Sequence, residues 1–402
     1  MITPTGGAKD KETQVNKMLC AALAAAIAGT ASAAMADVKI GFLATLSGPS
    51  ADVGRDQFDG VSLALDLLSG KLGGVKAVIV KEDDEQKPEV AINALGRLLD
   101  REKVDIVVGL TFANVMMALQ NRIASTDIPF IGTVAGPSSV AGRQCKANEF
   151  VMSWQSDAPA EAIGKYLSDK GIKRVSTMTP NFIGGKDKIA GFKRFYKGQI
   201  VDEIYTPLNE LDFSAELTEL SASKPEAIYG FFPGGLGVTF VRQYQQAGLL
   251  SKTALYTSNT IEGSAVDAMG TAALGSVVGD SWTPGAPNPQ SRRFVEAFQK
   301  RFGRIPSSYA AFSYDAIMML DAAVRDVKGN TADHKALTAS IKSARFASVR
   351  GNFRFGRNNF PIQDYSIYQV VRNSVGKPGF KLLEADVFKD HGDAYAQQCN
   401  LK

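Results

Sequence analysis

Several apolar runs of this sequence end in short loops of small polar and aromatic side chains. After "VDIVVG" the chain continues Leu110-Thr111-Phe112-Ala113-Asn114, and a segment with the periodicity of an amphipathic helix follows. The first backbone N–H groups of a helix have no partner inside it, and the helix dipole favours an anion there. Asn114 has two open interpretations: it caps its own helix, or this helix start binds a ligand carboxylate.

Comparable loops follow the other apolar runs and present mainly uncharged groups. A single phenylalanine in such a loop is more often part of the core than of a binding site. Phe112, Phe182 and Phe232 nevertheless occupy equivalent positions after their strands, which favours an apolar, aromatic cleft with few charges. The loops concerned are 47–54, 133–139, 181–186, 232–235 and 259–260.

The sequence offers no set of residues typical of catalysis or of metal binding. The chain has 2 histidines, His334 and His391, both in polar surroundings and without metal-ligand spacing. It contains no G-x-S-x-G motif for a nucleophilic serine. The stretch "PGGLGVTF" lacks the third glycine and the acidic residue of a dinucleotide site. We expect no enzyme, no cofactor and no metal; a secreted enzyme on a doubly wound fold is the minor alternative.

The first 36 residues have the organisation of a secretory signal peptide. Lys17 precedes the apolar run "MLCAALAAAIAGTASAAMA", which closes on Ala34-Met35-Ala36. Residues 1–36 are therefore predicted to be removed on export to the periplasm, and a retained anchor is the alternative. They hold three basic and two acidic residues, which leaves 42 basic against 39 acidic residues. This balance does not favour binding to nucleic acid.

Export also decides how the cysteines are interpreted. Cys20 lies within the signal segment, so Cys145 and Cys399 are the two that remain. An oxidising compartment favours a disulfide between them, and two free buried thiols are the alternative. The bond would connect the C-terminal tail with a loop 254 residues earlier in the chain.

Two series of alternating strand-like and helix-like segments must position these loops. The strands of the first series are continuously apolar, as expected for a parallel sheet covered on both faces. The second series begins near "KRVSTMTP", and a tail of alternating strands closes it. The chain is thus predicted to form two doubly wound parallel-sheet α/β lobes, with ligands bound at the carboxyl ends of the strands. Helices are predicted at 55–70, 88–101, 113–124, 186–197, 213–223, 236–247, 263–269, 290–302, 307–327 and 333–344.

Six stretches, in their order along the chain, resemble the exported solute-binding proteins of branched-chain amino-acid ABC importers, which are type I periplasmic binding proteins. The resemblance extends over about residues 38–390. It implies two α/β lobes joined by a three-strand hinge, closure of the lobes around a small solute, and delivery of that solute to a membrane permease. The stretches are "IGFLATLSGPSADVGRDQFDGVSLALD", "DDEQKPEVAINALGRLL", "VGLTFANVMMA", "FVRQYQQAGL", "YAAFSYDAI" and "NFRFGRNNFPIQDY".

The same resemblance implies the domain boundaries and the partners. The chain would cross between the lobes near 154–158, 281–284 and 351–355. A protein of this family is expected to act as a monomer that serves a permease and binds a small molecule. The implied segments are 37–154 with 284–350 for lobe 1, 155–283 with 351–390 for lobe 2, and 391–402 for a C-terminal tail.

Residue by residue, the resemblance places the carboxylate-binding helix start at Ala113 and Asn114. Amino-acid binders commonly have a serine at the position of Ala113, and Gly136 stands where a threonine often helps. Val134 offers a carbonyl, and Phe232 replaces a common tyrosine. The remaining predicted ligand contacts are Asp52, Phe112, Phe182, Ile183 and Asn259.

Asn259 bears most directly on the ligand. It falls where amino-acid binders usually place a glutamate against the ligand ammonium, and a buried ammonium without a countercharge is costly. The sequence therefore favours an acid without an amino group and with an aromatic or apolar body, such as a benzoate or hydroxycinnamate. The alternative is a branched-chain or other amino acid, an amide or urea, with Asp52 or Glu262 as countercharge for an amino group. A sensory role fits the sequence as well as transport does.

Overall fold

The computed structural model describes residues 1–2 and 36–401 of the chain. The predicted signal peptide lies almost wholly outside the described residues. From Asp37 onward the chain forms one compact unit with two β-sheets. Within the described part, no helix combines the length and the hydrophobicity that a membrane crossing needs.

Strands and helices alternate along most of this unit. The strands are β1 (Val38–Ala44), β2 (Lys71–Leu72), β3 (Val75–Asp83), β4 (Ile106–Gly109), β5 (Phe130–Gly132), β6 (Glu149–Val151), β7 (Arg174–Pro180), β8 (Gln199–Thr206), β9 (Ala227–Gly230), β10 (Ala254–Thr257), β11 (Val277–Asp280), β12 (Phe353–Phe355), β13 (Pro361–Arg372) and β14 (Pro378–His391). The α-helices are α1 (Ala51–Leu67), α2 (Pro88–Gly96), α3 (Ala113–Ala124), α4 (Ser138–Ala141), α5 (Ala158–Asp169), α6 (Ile183–Phe195), α7 (Ser214–Ser223), α8 (Gly235–Gln246), α9 (Gly263–Met269), α10 (Pro289–Phe302), α11 (Ser308–Asp326) and α12 (His334–Ser343).

Lobe 1 is built on the sheet β2–β3–β1–β4–β5–β6, which is parallel except at the short β2. Successive side chains of a strand point to opposite faces, and both faces of this sheet are buried. On β1, Ile40 and Phe42 enter a core shared with α1 and α11, whereas Leu43 enters the core beneath α2 and α3. Burial on both faces explains why these strands are apolar without alternation.

Lobe 2 is built on the sheet β12–β13–β11–β10–β9–β7–β8, with β14 paired to β13. Its centre is parallel, and the strands of the tail add to it in antiparallel fashion. The predicted pair of α/β lobes is confirmed, and both sheets are parallel-dominated and mixed rather than purely parallel. Antiparallel pairing follows because β12, β13 and β14 are joined without crossover helices.

Helix α1 begins earlier than predicted. The sequence predicted a loop through Gly54, whereas the helix starts at Ala51. Gly54 lies so close to the end of β1 that a Cβ there would come within 1.9 Å of the Thr45 carbonyl oxygen. Glycine lets the first turn of α1 pack against the strand. Asp52 therefore belongs to this turn and not to a loop.

The chain passes between the lobes three times, after β6, after β11 and before β12. Arg350, which precedes β12, is buried and bonds to more than one of these passages. Its guanidinium donates to the Met152 carbonyl at 2.5 Å and to Gln363 Oε1 at 2.9 Å. Asp315 of α11 accepts from its Nε at 3.1 Å. These bonds hold two of the three connections together at their base.

The predicted disulfide is present. Cys145 and Cys399 are bonded, with 5.7 Å between their Cα atoms. The bond closes a loop of 254 residues and connects the C-terminal tail to the segment after α4.

Replacing both cysteines by serine is expected to lower the stability of the protein. A cross-link that closes a long loop restricts the unfolded chain and contributes about 2–4 kcal/mol. For a chain of this size we expect the melting temperature to fall by about 3–5 °C. Thermal unfolding of the double variant under oxidising conditions measures this. A reductant should shift the wild type by a similar amount and leave the variant unchanged; equal melting temperatures would contradict a stabilising role.

Candidate functional site

A cavity lies between the lobes. Most of its wall comes from segments that follow β4, β5, β6, β7, β9 and β10, where the strands of both sheets end. This is the edge at which α/β sheets bind ligands. Its lining residues are Val53, Thr111, Phe112, Ala113, Val134, Ala135, Trp154, Ser156, Phe182, Gly184, Lys188, Phe231, Pro233, Asn259 and Tyr309.

Part of the wall from lobe 1 is the start of α3. Leu110 adopts a left-handed conformation with φ 62°, which turns the chain out of β4, and its N–H donates to the Leu43 carbonyl at 2.8 Å. The helix then begins at Ala113, without a side-chain cap. Among the described residues, the N–H groups of Ala113, Asn114 and Val115 have no acceptor. These groups are oriented as an anion site would require.

Asn114 is not the cap of this helix. The capping position is occupied by Phe112, and Asn114 lies in the first turn. Its Oδ1 atom is buried and has no hydrogen-bond partner among the described residues. Of the two interpretations of Asn114, capping of its own helix is therefore wrong.

Aromatic rings form much of the cavity wall. Phe182 lies between Phe112 and Phe231, with ring centroids 6.3 Å and 6.1 Å away. Trp154 and Tyr309 form a second pair at 6.2 Å. Rings at these separations and tilts make favourable contacts with one another and offer flat apolar faces to a ligand.

Phe231, and not the predicted Phe232, faces the cavity. The Phe232 ring is fully buried in the core of lobe 2, where it stacks on Phe240 with 4.2 Å between centroids. It also meets Phe213 edge-on at 5.0 Å. The side chains of neighbouring residues after β9 point in opposite directions. An error of one position in the sequence therefore assigns a core residue to the site and a site residue to the core.

Lys188 of α6 brings a buried amine into this aromatic cavity. Its side chain is 2% exposed. The Nζ atom lies 5.2 Å from the ring centroids of both Trp154 and Phe231. It donates to Asn259 Oδ1 at 2.5 Å, and no other acceptor lies within hydrogen-bonding distance among the described residues. An ammonium can donate three hydrogen bonds, so two remain for a ligand.

Two buried carboxylates stand behind this amine. Asn259 Nδ2 donates to Asp280 Oδ2 at 2.7 Å, so the amide connects Lys188 to Asp280. Burial lowers the pKa of Lys188 to about 7, and the Asp280 charge opposes this decrease. Burial raises the pKa of Asp280, and it also raises the pKa of Glu262, where the Asp280 charge adds to the effect.

The lobes touch each other around the cavity. Glu262, at the start of α9 in lobe 2, accepts the N–H of Ser308 at 2.9 Å and its hydroxyl at 2.8 Å. Ser308 begins α11 of lobe 1. Beside it, the Tyr309 hydroxyl donates to the Asn259 carbonyl at 2.9 Å. The structure therefore shows the two lobes closed upon each other.

A second contact between the lobes lies outside the cavity lining. The Asp187 carboxylate of α6 accepts the N–H of Ser138 at 2.9 Å and its hydroxyl at 2.7 Å. Burial and the nearby Asp157 charge raise the pKa of Asp187 to about 6. Asp187 and Lys188 are neighbours on α6, so the same turn contacts lobe 1 and the cavity.

The structure brings half of the predicted contacts together. Those that line the cavity are Phe112, Ala113, Val134, Phe182 and Asn259. Asp52 instead lies against the start of α8, where a Cβ on Gly234 would be 2.7 Å from its Oδ1 atom. Gly136 packs against the Trp154 carbonyl, and Ile183 is exposed. These three lie beside the cavity and not on it.

Five lining residues lie outside the loops and contacts predicted from the sequence: Lys188, Trp154, Ser156, Phe231 and Tyr309. A signal for Lys188 was present. Gly184 lies four residues before it and Phe192 four residues after it, which places the lysine on the buried face of α6. A lysine is rarely buried on such a face unless it is paired. Tyr309 and Trp154 gave no comparable signal, since aromatic residues are common in cores.

Within the described residues, no group of three or more His, Cys, Asp or Glu side chains could hold a metal ion. Comparison with protein families shows to which family the chain belongs. A family model described as periplasmic binding protein matches residues 37–376. The chain belongs to this family. Its members bind small molecules, are exported to the periplasm and work with the permease of an ABC transporter.

Relatives and solved structures agree with this family assignment. The binding protein is 26% identical to the Leu/Ile/Val-binding protein homolog 6 of Brucella melitensis, over 90% of this chain and 95% of that protein. It superposes with a TM-score of 0.86 on an ABC-transporter solute-binding protein of R. palustris in complex with benzoate, at 28% identity, over 91% of this chain and 100% of that one. A solute-binding protein of Rhodopseudomonas palustris BisB5 in complex with 3,4-dihydroxybenzoic acid is 26% identical, with a TM-score of 0.83, over 88% of this chain and 98% of that one.

Proposed function

We propose that this protein is the periplasmic substrate-binding component of an ABC importer for a small aromatic carboxylate. The observation that carries the proposal is Lys188, a buried amine in a cavity of otherwise uncharged side chains among the described residues. The amine has two donors that no described residue accepts, and the N–H groups at the start of α3 are also without acceptors. Together these donors can bind a ligand carboxylate.

The walls support an aromatic body for the acid. Phe112, Phe182 and Phe231 present rings from both lobes, and Trp154 and Tyr309 complete the enclosure. Ligand sites of this kind are mostly apolar, with a few polar groups that fix orientation. The structural neighbours that bind benzoate and 3,4-dihydroxybenzoic acid support the same class of ligand.

A branched-chain amino acid is the second candidate. The name of the Brucella relative favours it, and so do the buried carboxylates of Asp280 and Glu262. Both carboxylates, however, already accept hydrogen bonds, from Asn259 and Ser308 respectively. An added ammonium would also meet the positive charge of Lys188.

A ligand screen tests the proposal. The protein, unfolded and refolded to remove bound molecules, is heated with benzoate, 4-hydroxybenzoate, a hydroxycinnamate, leucine, glutamate, urea or acetamide. A ligand at 100 times its Kd adds about 2.7 kcal/mol to the free energy of unfolding. We expect stabilisation by aromatic acids alone. Stabilisation by leucine alone would assign the protein to the second candidate.

The affinity for an aromatic acid is expected to fall as the pH rises from 6 to 9. The acid is ionised throughout this range, and the amine of Lys188 attracts it by charge only while it is protonated. Because burial lowers the pKa of Lys188 to about 7, the affinity falls as the pH rises through this value, by up to about tenfold per unit. The carboxyls that face the amine, Asp280, Glu262, Asp157 and Asp187, act in the same sense, since their ionisation repels the ligand. Calorimetric titration with benzoate measures the slope; a Kd that stays constant would contradict it.

A further inference from the structure

The surroundings of the Lys188 amine have the features of a site for an ammonium ion. The Nζ atom lies over the aromatic faces of Trp154 and Phe231, 5.2 Å from each ring centroid, where cations bind. The side-chain oxygen Oδ1 of Asn259 accepts a hydrogen bond from it. The Asp280 carboxylate stands directly behind that amide. We call these four residues the ammonium pocket.

The charges around the ammonium pocket also favour a cation. Asp280 and Glu262 are both buried within the influence of the amine, whereas Lys188 is the cation that faces them from α6. Asp157 and Asp187 add further negative charge nearby. The pocket therefore favours a positive group, whether this group belongs to the protein or to a ligand.

We infer that Lys188 is a tethered ammonium, which fills the pocket that the amino group of an amino acid would otherwise occupy. The inference rests on the proposed function, because it explains why the ligand is an acid without an amino group. Lys188 acts in two ways: its side chain takes up the space, and its charge repels a second cation. The same charge attracts the carboxylate of an aromatic acid. One residue thus selects for one class of ligand and against another.

Removing the tether tests the inference. Lys188→Ala deletes the equivalent of n-propylammonium from the pocket, so benzoate binding should weaken at least about 30-fold, as expected for a lost charge-assisted bond. Adding n-propylammonium to this variant should restore most of the benzoate affinity, and n-propanol, of similar shape and no charge, should not. In Lys188→Met the pocket remains filled, so n-propylammonium should have no effect. Benzoate binding to Lys188→Ala at the wild-type affinity would overturn the inference.

The same variant should acquire a new ligand. L-phenylalanine carries its own ammonium, so we expect measurable binding to Lys188→Ala and none to the wild type. This binding should strengthen from pH 6 to pH 8, because ionised Asp280 and Glu262 attract the ammonium. The slope is opposite to that of benzoate on the wild type. Absence of both phenylalanine binding and rescue by n-propylammonium would overturn the inference.

The outcomes separate this inference from the proposed function. If the wild type binds no aromatic acid in the ligand screen, the proposed function fails before any variant is made. If the wild type binds benzoate and Lys188→Met binds it equally well, the function stands and the tethered ammonium is wrong. Far-ultraviolet circular dichroism and thermal unfolding establish that each variant is folded. Should Lys188→Ala not fold, the benzoate affinity of Lys188→Met, which keeps the packing volume, decides the question.

Discussion

Replacing Lys188 by methionine is expected to weaken the binding of an aromatic acid about 100-fold. Methionine fills nearly the same space, but it donates no hydrogen bond and carries no charge. The loss of a buried charge-assisted hydrogen bond corresponds to about 3 kcal/mol, which is about two orders of magnitude in Kd. Calorimetric titration of both proteins with benzoate at pH 6.5 measures the difference.

Lys186→Met is the matched control for this substitution. Lys186 lies on the same helix, two residues earlier, and its side chain is exposed. We expect it to bind benzoate as the wild type does. If both methionine variants bind equally well, Lys188 has no role in holding the acid.

The methionine variant should also respond differently to pH. Without the Lys188 charge, the raised pKa values of Asp280 and Glu262 rise further. The folded protein then holds protons that the unfolded chain releases, so stability falls as the pH rises through this range. Relative to the wild type, the melting temperature of Lys188→Met is therefore expected to decrease from pH 6 to pH 9.

Gly263→Ala is expected to weaken ligand binding by about 10- to 100-fold without unfolding either lobe. Gly263 begins α9 of lobe 2, and a Cβ there would lie 1.9 Å from the Pro306 carbonyl oxygen of lobe 1. The neighbouring Glu262–Ser308 bonds join the same two segments. An added methyl group would therefore disfavour the closed arrangement by about 1.4–2.7 kcal/mol, as in an overpacked core. Because the ligand binds best when the lobes are closed, its apparent Kd rises by the same factor.

Gly96→Ala provides the control for this prediction. Gly96 lies in a helix, and a Cβ there meets no atom closer than 3.9 Å. We expect wild-type binding and equal or slightly higher stability. Titration with benzoate and small-angle X-ray scattering with and without ligand compare affinity and closure. A Gly263→Ala protein that closes and binds as the wild type does would show that this contact has no part in closure.

The architecture could be predicted because it depends on the hydrophobic period within each segment and on the order of the segments along the chain. The buried strands β1, β4 and β9 are apolar on both faces, and amphipathic segments follow each of them. These patterns locate elements within a few residues and place the ligand at the strand ends. The antiparallel additions in lobe 2 follow from the short connections of the tail. The early start of α1 could not be predicted, since it depends on how closely Gly54 approaches Thr45 across the fold.

The sequence predicted where the site lies but not the chemical character of its lining. The strand-end pattern located Phe112 and Phe182, which line the cavity. It indicated Phe232 in place of Phe231, because neighbouring side chains of an extended segment point in opposite directions. The expected cleft with few charges omitted Lys188, whose burial arises from the packing of lobe 1 over α6. Contacts between lobes, such as Glu262 with Ser308, join residues 46 positions apart and leave no local pattern in the sequence.

The bond between Asp187 and Ser138 has a consequence for the rates at which ligands leave the cavity. It joins the lobes at a place that lies outside the cavity lining, so a ligand in the cavity does not contact it. The opening of this bond is a step that each ligand must await before it leaves. Differences in affinity between related ligands arise mainly in their dissociation rates. Asp187 should therefore lengthen the dwell time of all ligands in common, whereas Lys188, the next residue, separates one ligand from another.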